Sequence, residues 1–157
     1  MVKFKSTTRL PSIDSSVVLT QTDTTVGFIS QDKVKLYEIK SRNPSKPFIK
    51  VYSNFSEFSS HGNRVPKSKK NLVRRSKKTT FIIKNRAFRI AQSHLNSQVI
   101  RDLKWSYSTS ANESSKRFDR EFCEDKADII VEDKDGLCES SSSTLLKINY
   151  VKQVRIR

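Results

Sequence analysis

Cysteine and histidine, the usual ligands of structural zinc, are scarce in this 157-residue chain: two cysteines, Cys123 and Cys138, and two histidines, His61 and His94. No Cys-x-x-Cys pair and no Cys/His cluster occurs, which excludes the usual structural zinc sites. A Cys123–Cys138 disulfide stays open, with two buried cytosolic thiols the expected state. No Ser-His-Asp or Cys-His set is evident. No run approaches the roughly 18 apolar residues of a membrane span, and Met1 to Val18 lacks the apolar core of a signal peptide. These absences predict a soluble, cytoplasmic protein without a membrane partner. Only 34% of residues are hydrophobic, enough for one modest core, so the whole of 1–157 is expected to be one domain.

Acidic residues are also scarce, 16 against 31 Lys and Arg, giving a formal charge of +15. Such a chain attracts polyanions: nucleotides, RNA or anionic surfaces. The charge is unevenly placed. Between Arg64 and Arg89 lie eleven Lys/Arg residues and no acid, whereas Asp119 to Glu139 holds nine acids and three bases. A solvated face accounts for charge runs of this kind, and so does a phosphate-reading surface. Trp105, Tyr107 and Phe118 lie too far from the basic run in sequence to be read as its stacking platforms.

Hydrophobic patterning predicts alternating strands and helices. Val17-Val18-Leu19 reads as a strand entering the polar Thr20-Gln21-Thr22-Asp23-Thr24 loop, and Gly27-Phe28-Ile29 as a second. Asp32 is placed to cap a helix that ends near Lys40-Ser41-Arg42, before Pro44 and Pro47. Phe48 to Tyr52 alternates as a strand does, and Phe55 and Phe58 suit a short helical turn. Residues 60–78 read as a loop or weak helix. Thr79 to Ile83 and Ala87 to Ile90 form a hairpin. Ser93 to Leu103 is an amphipathic helix, Trp105 to Tyr107 a strand running into a Ser/Thr/Asn loop at 108–115, and Ala127 to Val131, Leu145 to Ile148 and Val151 to Ile156 the remaining strands. The expected fold is α/β (α+β type), a layered mixed sheet whose strand-end loops form a ligand crevice.

Three short strings stand at those ends. Lys40 and Arg42 are cations able to hold phosphate oxygens, and Thr22, Thr24, Ser110 and Asn112 are small neutral hydrogen-bonding groups. Taken singly, Lys40-Ser41-Arg42 also reads as helix C-terminal cations, Ser108-Thr109-Ser110-Ala111-Asn112 as a capping loop, and Thr22-Asp23-Thr24 as a turn. His61 and His94 read as surface residues.

In this order the strings resemble the Sua5/YciO/YrdC family. Gln21 to Phe28 is similar to its Pro-Thr-Asp/Glu-Thr-x-Tyr-Gly-Leu stretch, Lys40 to Phe48 to Lys-x-Arg-Pro-x-x-Asn/Lys-Pro-Leu, and Phe88-Arg89-Ile90 to its Val-Arg-hydrophobic strand. Ser108 to Ser115 resembles Ser-Thr-Ser-Ala-Asn-x-Ser-Gly, and Ser143 to Leu146 resembles Ser-Thr-Val-Val. Gln21, Val26 and Arg75 to Lys78 depart from the family pattern. The resemblance implies a YrdC/RibB-like twisted mixed sheet flanked by helices. It implies synthesis of threonylcarbamoyl-AMP and pyrophosphate from L-threonine, bicarbonate and ATP with Mg²⁺, feeding the machinery that places t6A on tRNA.

Under it, Lys40 and Arg42 are the catalytic cations, and Lys40, Arg42, Lys46, Thr80, Ser110, Asn112 and Arg155 contact ATP. Thr22, Thr24, Arg89 and Ser143 contact threonine, and no protein side chain is assigned to the metal. A non-catalytic protein that binds double-stranded RNA or tRNA is the alternative. Carbamoyl-adenylate chemistry of the hydrogenase-maturation kind is a third.

Overall fold

A computed structural model describes residues 1–4, 12–41, 47–91, 94–114 and 116–157. Its strands are β1 (Val2–Phe4), β2 (Val18–Gln21), β3 (Val26–Ser30), β4 (Ile49–Tyr52) and β5 (Thr79–Ile83), followed by β6 (Arg86–Ile90), β7 (Trp105–Ser110), β8 (Ile129–Val131), β9 (Thr144–Ile148) and β10 (Gln153–Arg155). Five helices accompany them: α1 (Lys33–Lys40), α2 (Phe55–Ser60), α3 (Lys70–Arg75), α4 (His94–Leu103) and α5 (Arg120–Lys126). Local chemistry sets several boundaries. The Asp32, Asn54 and Asp119 carboxyl or amide oxygens each accept a backbone N–H in the first turn of α1, α2 and α5. α1 stops where Ser41 adopts a left-handed φ of 43°. Lys84 and Asn85, both at positive φ, make the two-residue turn that joins β5 to β6.

The strands pair in the order β1-β8-β2-β3-β7-β4-β6-β5-β9-β10. The sheet is mixed: β2–β8, β4–β6 and β5–β9 are parallel, and the other pairs antiparallel. This is the α/β mixed-sheet architecture expected. Because side chains alternate across a strand, each strand feeds both faces. On one face Leu19, Val26 and Phe28 meet Leu36 of α1 and Cys123 of α5. Farther along that face Tyr52, Phe81 and Phe88 meet Phe58 of α2 and Val73 of α3. On the opposite face Val18, Ile29 and Val51 pack under Val99, Ile100 and Leu103 of α4. Phe28 and Phe81 are almost wholly buried, each contributing roughly 1.5–3 kcal/mol.

Two expectations of loop are corrected: Thr20 and Gln21 belong to β2, held by their pairing with Gly27 and Val26. Ser108 to Ser110 are not loop but the end of β7, paired with Gly27 to Ile29 and, at Ser108, with Ile49. α5 and β1 were not foreseen. The cysteines are free thiols with no disulfide between them; Cys123 is buried as expected, but Cys138 is exposed, because its segment lies along the outside of the loop between β2 and β3. No helix among the described residues is long and apolar enough to cross a membrane.

Candidate functional site

On the face that carries α4, a cleft of about 320 Å³ opens beside the helix, over the start of β3 and of β4, the end of β7 and Arg89 of β6. Its floor is made of small residues. Gly27 belongs there because a Cβ would sit 2.9 Å from the Thr109 carbonyl oxygen and 3.0 Å from Thr22 Cγ2, so any larger residue would push the strands apart. Ile49, Ser108 and Ser110 line one wall, and Thr22, Thr24 and Thr25 another. Arg89, Ser143 and Arg157 close the far end.

Arg89 organises that end. It projects from β6 into the cleft face, and its side chain is only 8% exposed. Nη1 donates to Asp23 Oδ1 at 2.6 Å and to Thr24 Oγ1 at 3.1 Å, while Nε and Nη2 donate to Thr80 Oγ1 at 3.3 and 3.0 Å. The proton directions follow. Thr80 Oγ1 accepts twice from a guanidinium that cannot accept, so its own O–H donates to Ser143 Oγ, 2.9 Å away. The Ser143 hydroxyl hydrogen is thereby left for another acceptor. Thr22 Oγ1 donates to the Thr25 carbonyl, so the Thr24 hydroxyl is the donor of the Thr22–Thr24 hydroxyl pair, and the Thr24 and Thr25 amides, each 3.2 Å away, share the remaining lone pair. Thr22 is therefore satisfied within the turn, and Thr24 between the turn and Arg89.

One N–H on Arg89 Nη2 and the Ser143 O–H remain as donors at this end. That pair suits a carboxylate or a phosphate. Asp23 neutralises the guanidinium, and its Oδ2 is buried without a hydrogen-bond partner among the described residues. Sequence reasoning treated Asp23 as part of a turn. Its place between two threonines that face the cleft was the available signal.

The other end is built on Lys40, in the last turn of α1. Its ammonium donates to the Ser110 carbonyl at 3.1 Å, to Asn112 Oδ1 at 2.7 Å and to the Asn112 carbonyl. Lys40 is 5% exposed, with its donors turned into the loop after β7. Asn112 is likewise turned inward, accepting from Ser110 Oγ at 2.7 Å and donating to the Lys116 carbonyl. The expected direct grip of Lys40 and Asn112 on phosphate is thus replaced by a brace that shapes the loop. Ser110 does line the cleft, but its hydroxyl hydrogen is used, so it faces a ligand as an acceptor.

Thr80 stands behind Arg89 as the link to Ser143. Arg155 is exposed on β10 and does not line the cleft; Arg157, whose Nε donates to the Ser143 carbonyl, does. Arg42 and Lys46 lie outside the described residues. Among the described residues no cluster of His, Cys, Asp and Glu forms a metal centre. Neutral acceptor oxygens such as Ser110 Oγ fit the waters of a hydrated Mg²⁺ carried in on a polyphosphate better than they fit a bare ion.

A twisted mixed sheet with helices on both faces and a hydroxyl- and arginine-lined cleft on one of them defines a YrdC-like fold. More particularly, the fold is that of the Sua5/YciO/YrdC proteins, as the motif resemblance implies. A double variant of Sua5 from P. abyssi superposes with a TM-score of 0.76 at 18% identity, over 91% of this chain and 52% of that one. E. coli YciO gives 0.72 at 17% identity, over 91% and 82%. Full-length HypF, in its phosphate- and nucleotide-bound form, gives 0.75 at 12% identity, over all of this chain and 25% of that one. The chain spans about half the length of the Sua5 structures it matches. No family model and no curated protein sequence matches the chain.

Proposed function

We propose that the chain makes a carbamoyl-adenylate from ATP, bicarbonate and L-threonine, releasing pyrophosphate and supplying the product to the machinery that forms t6A on tRNA. The single observation behind this reading is the donor pair on Arg89 and Ser143, fixed by Asp23 and Thr80 at one end of a cleft. It suits the carboxylate of an amino acid, and P. abyssi Sua5 has been seen complexed with L-threonine.

With threonine anchored there, its carbamate would lie toward the Ser108 to Ser110 wall, where a triphosphate fits. The carbamate oxygen attacks the α-phosphorus and pyrophosphate leaves, so the protein need only position the reactants and offset charge. Mg²⁺ on the triphosphate would neutralise the leaving group. Ser110 would hold the metal's waters, with Lys40 and Asn112 fixing the loop that carries it. Arg157, held on the Ser143 carbonyl, is a further cation at the carboxylate end, and Arg42 and Lys46 are proposed as phosphate contacts on the motif resemblance.

The test is pyrophosphate release from ATP, Mg²⁺ and bicarbonate with and without L-threonine. Threonine-dependent release, lost in Arg42→Ala, is expected. Release without threonine favours the other carbamoyl-adenylate chemistry, and no release in either case overturns the proposal.

A further inference from the structure

The face of the sheet opposite the cleft carries an unusual cation. Alternation along β4 and β7 sends Ile49 and Ser108 into the cleft and their neighbours Lys50 and Tyr107 to the other side, with Tyr52 and Trp105. There the Lys50 ammonium sits 3.7 Å from the centroid of the Trp105 ring, 5.5 Å from Tyr52 and 6.0 Å from Tyr107. No carboxylate among the described residues pairs with it. Partial burial lowers its pKa, the mark of a charge that has lost water without gaining an anion.

The rings around it form a continuous path. Tyr107 meets Trp105 at 5.4 Å, Trp105 meets His61 at 6.0 Å and His61 meets Tyr52 at 5.5 Å. Tyr52 then meets Phe58, which meets Phe55 at 5.6 Å, and the Arg74 guanidinium of α3 lies 4.4 Å over Phe55. The path therefore ends at the basic helix. From Phe58 to Arg101 the chain contains no acid, and Lys67, Lys70, Arg75, Lys77 and Lys78 are exposed and make no ion pair among the described residues. Folding thus brings Trp105 and Tyr107 to the basic segment from which sequence distance separates them.

We propose that this face binds single-stranded RNA, with unpaired bases stacking on Trp105, Tyr107 and His61, a phosphate at Lys50, and α3 following the backbone. Aromatic rings around a cation without a carboxylate partner among the described residues, Lys50, suit a strand whose base faces are open; a duplex hides those faces. Charge complementarity argues for a polyanion, and ring faces set beside the cations argue for one with open bases rather than for a bilayer. RNA rather than DNA is chosen because it fits the proposed tRNA-directed product, the one point at which this inference rests on that reading.

Trp105 is the only tryptophan, so its emission reports directly on stacking. A labelled oligouridylate of about twelve nucleotides, titrated at low salt, is expected to quench that emission saturably and to bind more tightly than its deoxy counterpart or a duplex. Lys67→Gln/Lys70→Gln/Arg75→Gln should lower the slope of log affinity against log salt by about 2. Lys50→Gln, with unchanged circular dichroism, should weaken binding roughly tenfold.

Equal affinity for the deoxy strand overturns the choice of RNA. Unchanged emission on binding, or a preference for duplex, overturns the stacking surface. Retention on phosphatidylserine vesicles that RNA does not compete away assigns the face to a membrane instead. Pyrophosphate release, assayed without RNA, stands or falls separately.

Discussion

Arg89 and Lys40 are both buried cations beside one cleft, and they are satisfied in different ways. Arg89 meets a carboxylate, Asp23, and two hydroxyls, and still has an N–H to offer alongside Ser143. Lys40 meets two backbone carbonyls and an amide oxygen, and its donors are spent inside the protein. A planar fork of five N–H groups can be held and still present an edge, whereas a three-donor ammonium held three times cannot. The first end of the cleft is therefore suited to recognition and the second to support.

The largest effect should come from breaking the Arg89 end. Asp23→Asn removes the counter-charge of a buried guanidinium, and a buried pair broken on one side costs about 3–5 kcal/mol. Urea unfolding should show that loss with an unchanged m-value, and Asp23→Asn/Arg89→Gln should recover part of it. A loss below about 1 kcal/mol would mean that Asp23 does not balance Arg89.

The contrast sharpens at Lys40. Lys40→Met should cost about 2–3 kcal/mol, because the Ser110 and Asn112 oxygens lose a charged donor in a buried place. Its effect on ATP affinity should be no larger than the loosening of the loop explains. A variant of full stability that no longer binds ATP would show Lys40 to be a ligand contact, and the distinction between the two ends would fall. Between the ends, Gly27→Ala should cost about 1–3 kcal/mol and narrow the cleft, since its Cβ meets a backbone oxygen that cannot turn aside.

Ser143→Ala is a gentler probe of recognition. It removes one of the two donors at the Arg89 end and, on the proposed chemistry, should raise the threonine concentration needed for half-maximal pyrophosphate release roughly tenfold while ATP dependence holds. Equal weakening toward both substrates would place the threonine carboxylate elsewhere.

These outcomes also bear on what the sequence made legible. Strands with β-branched runs, such as Thr79 to Ile83, and α1, whose Asp32 cap is followed by apolar Val34, Leu36, Tyr37 and Ile39, could be read locally because their signals are local. α5 was hidden because its seven residues hold few apolar side chains among charges, too short a period to register. Ser108 to Ser110 looked like a loop because small polar residues have weak strand preference. Their strand state comes from pairing with β3 and, at Ser108, β4, which only tertiary structure provides.

The grouping of Thr24, Arg89 and Ser143 was anticipated through motif order, but the Asp23 partner, the inward turn of Lys40 and the exchange of Arg155 for Arg157 were not. Each depends on a side-chain direction across more than sixty residues of chain or at a sheet edge, and residue type alone carries no record of it.

The smallest effect separates the two cysteines. Cys123 faces the apolar layer between α5 and the sheet, and burial pushes its thiol up to about 11, although the nearby Lys40 charge opposes the shift. Cys138 is exposed in the strand-like segment that hydrogen-bonds to Val26 and Gln21. At pH 8 a thiol reagent should therefore modify Cys138 promptly and reach Cys123 only after urea unfolding. Because folding raises the Cys123 pKa, its contribution to stability is fully present below the pKa of the unfolded thiol and is lost as pH rises through about 11. Cys123→Ala should flatten that decline at alkaline pH relative to the parent chain. An unchanged slope would mean that the thiol does not sense the buried layer, and with it that α5 is not closed against the sheet at the Lys40 end.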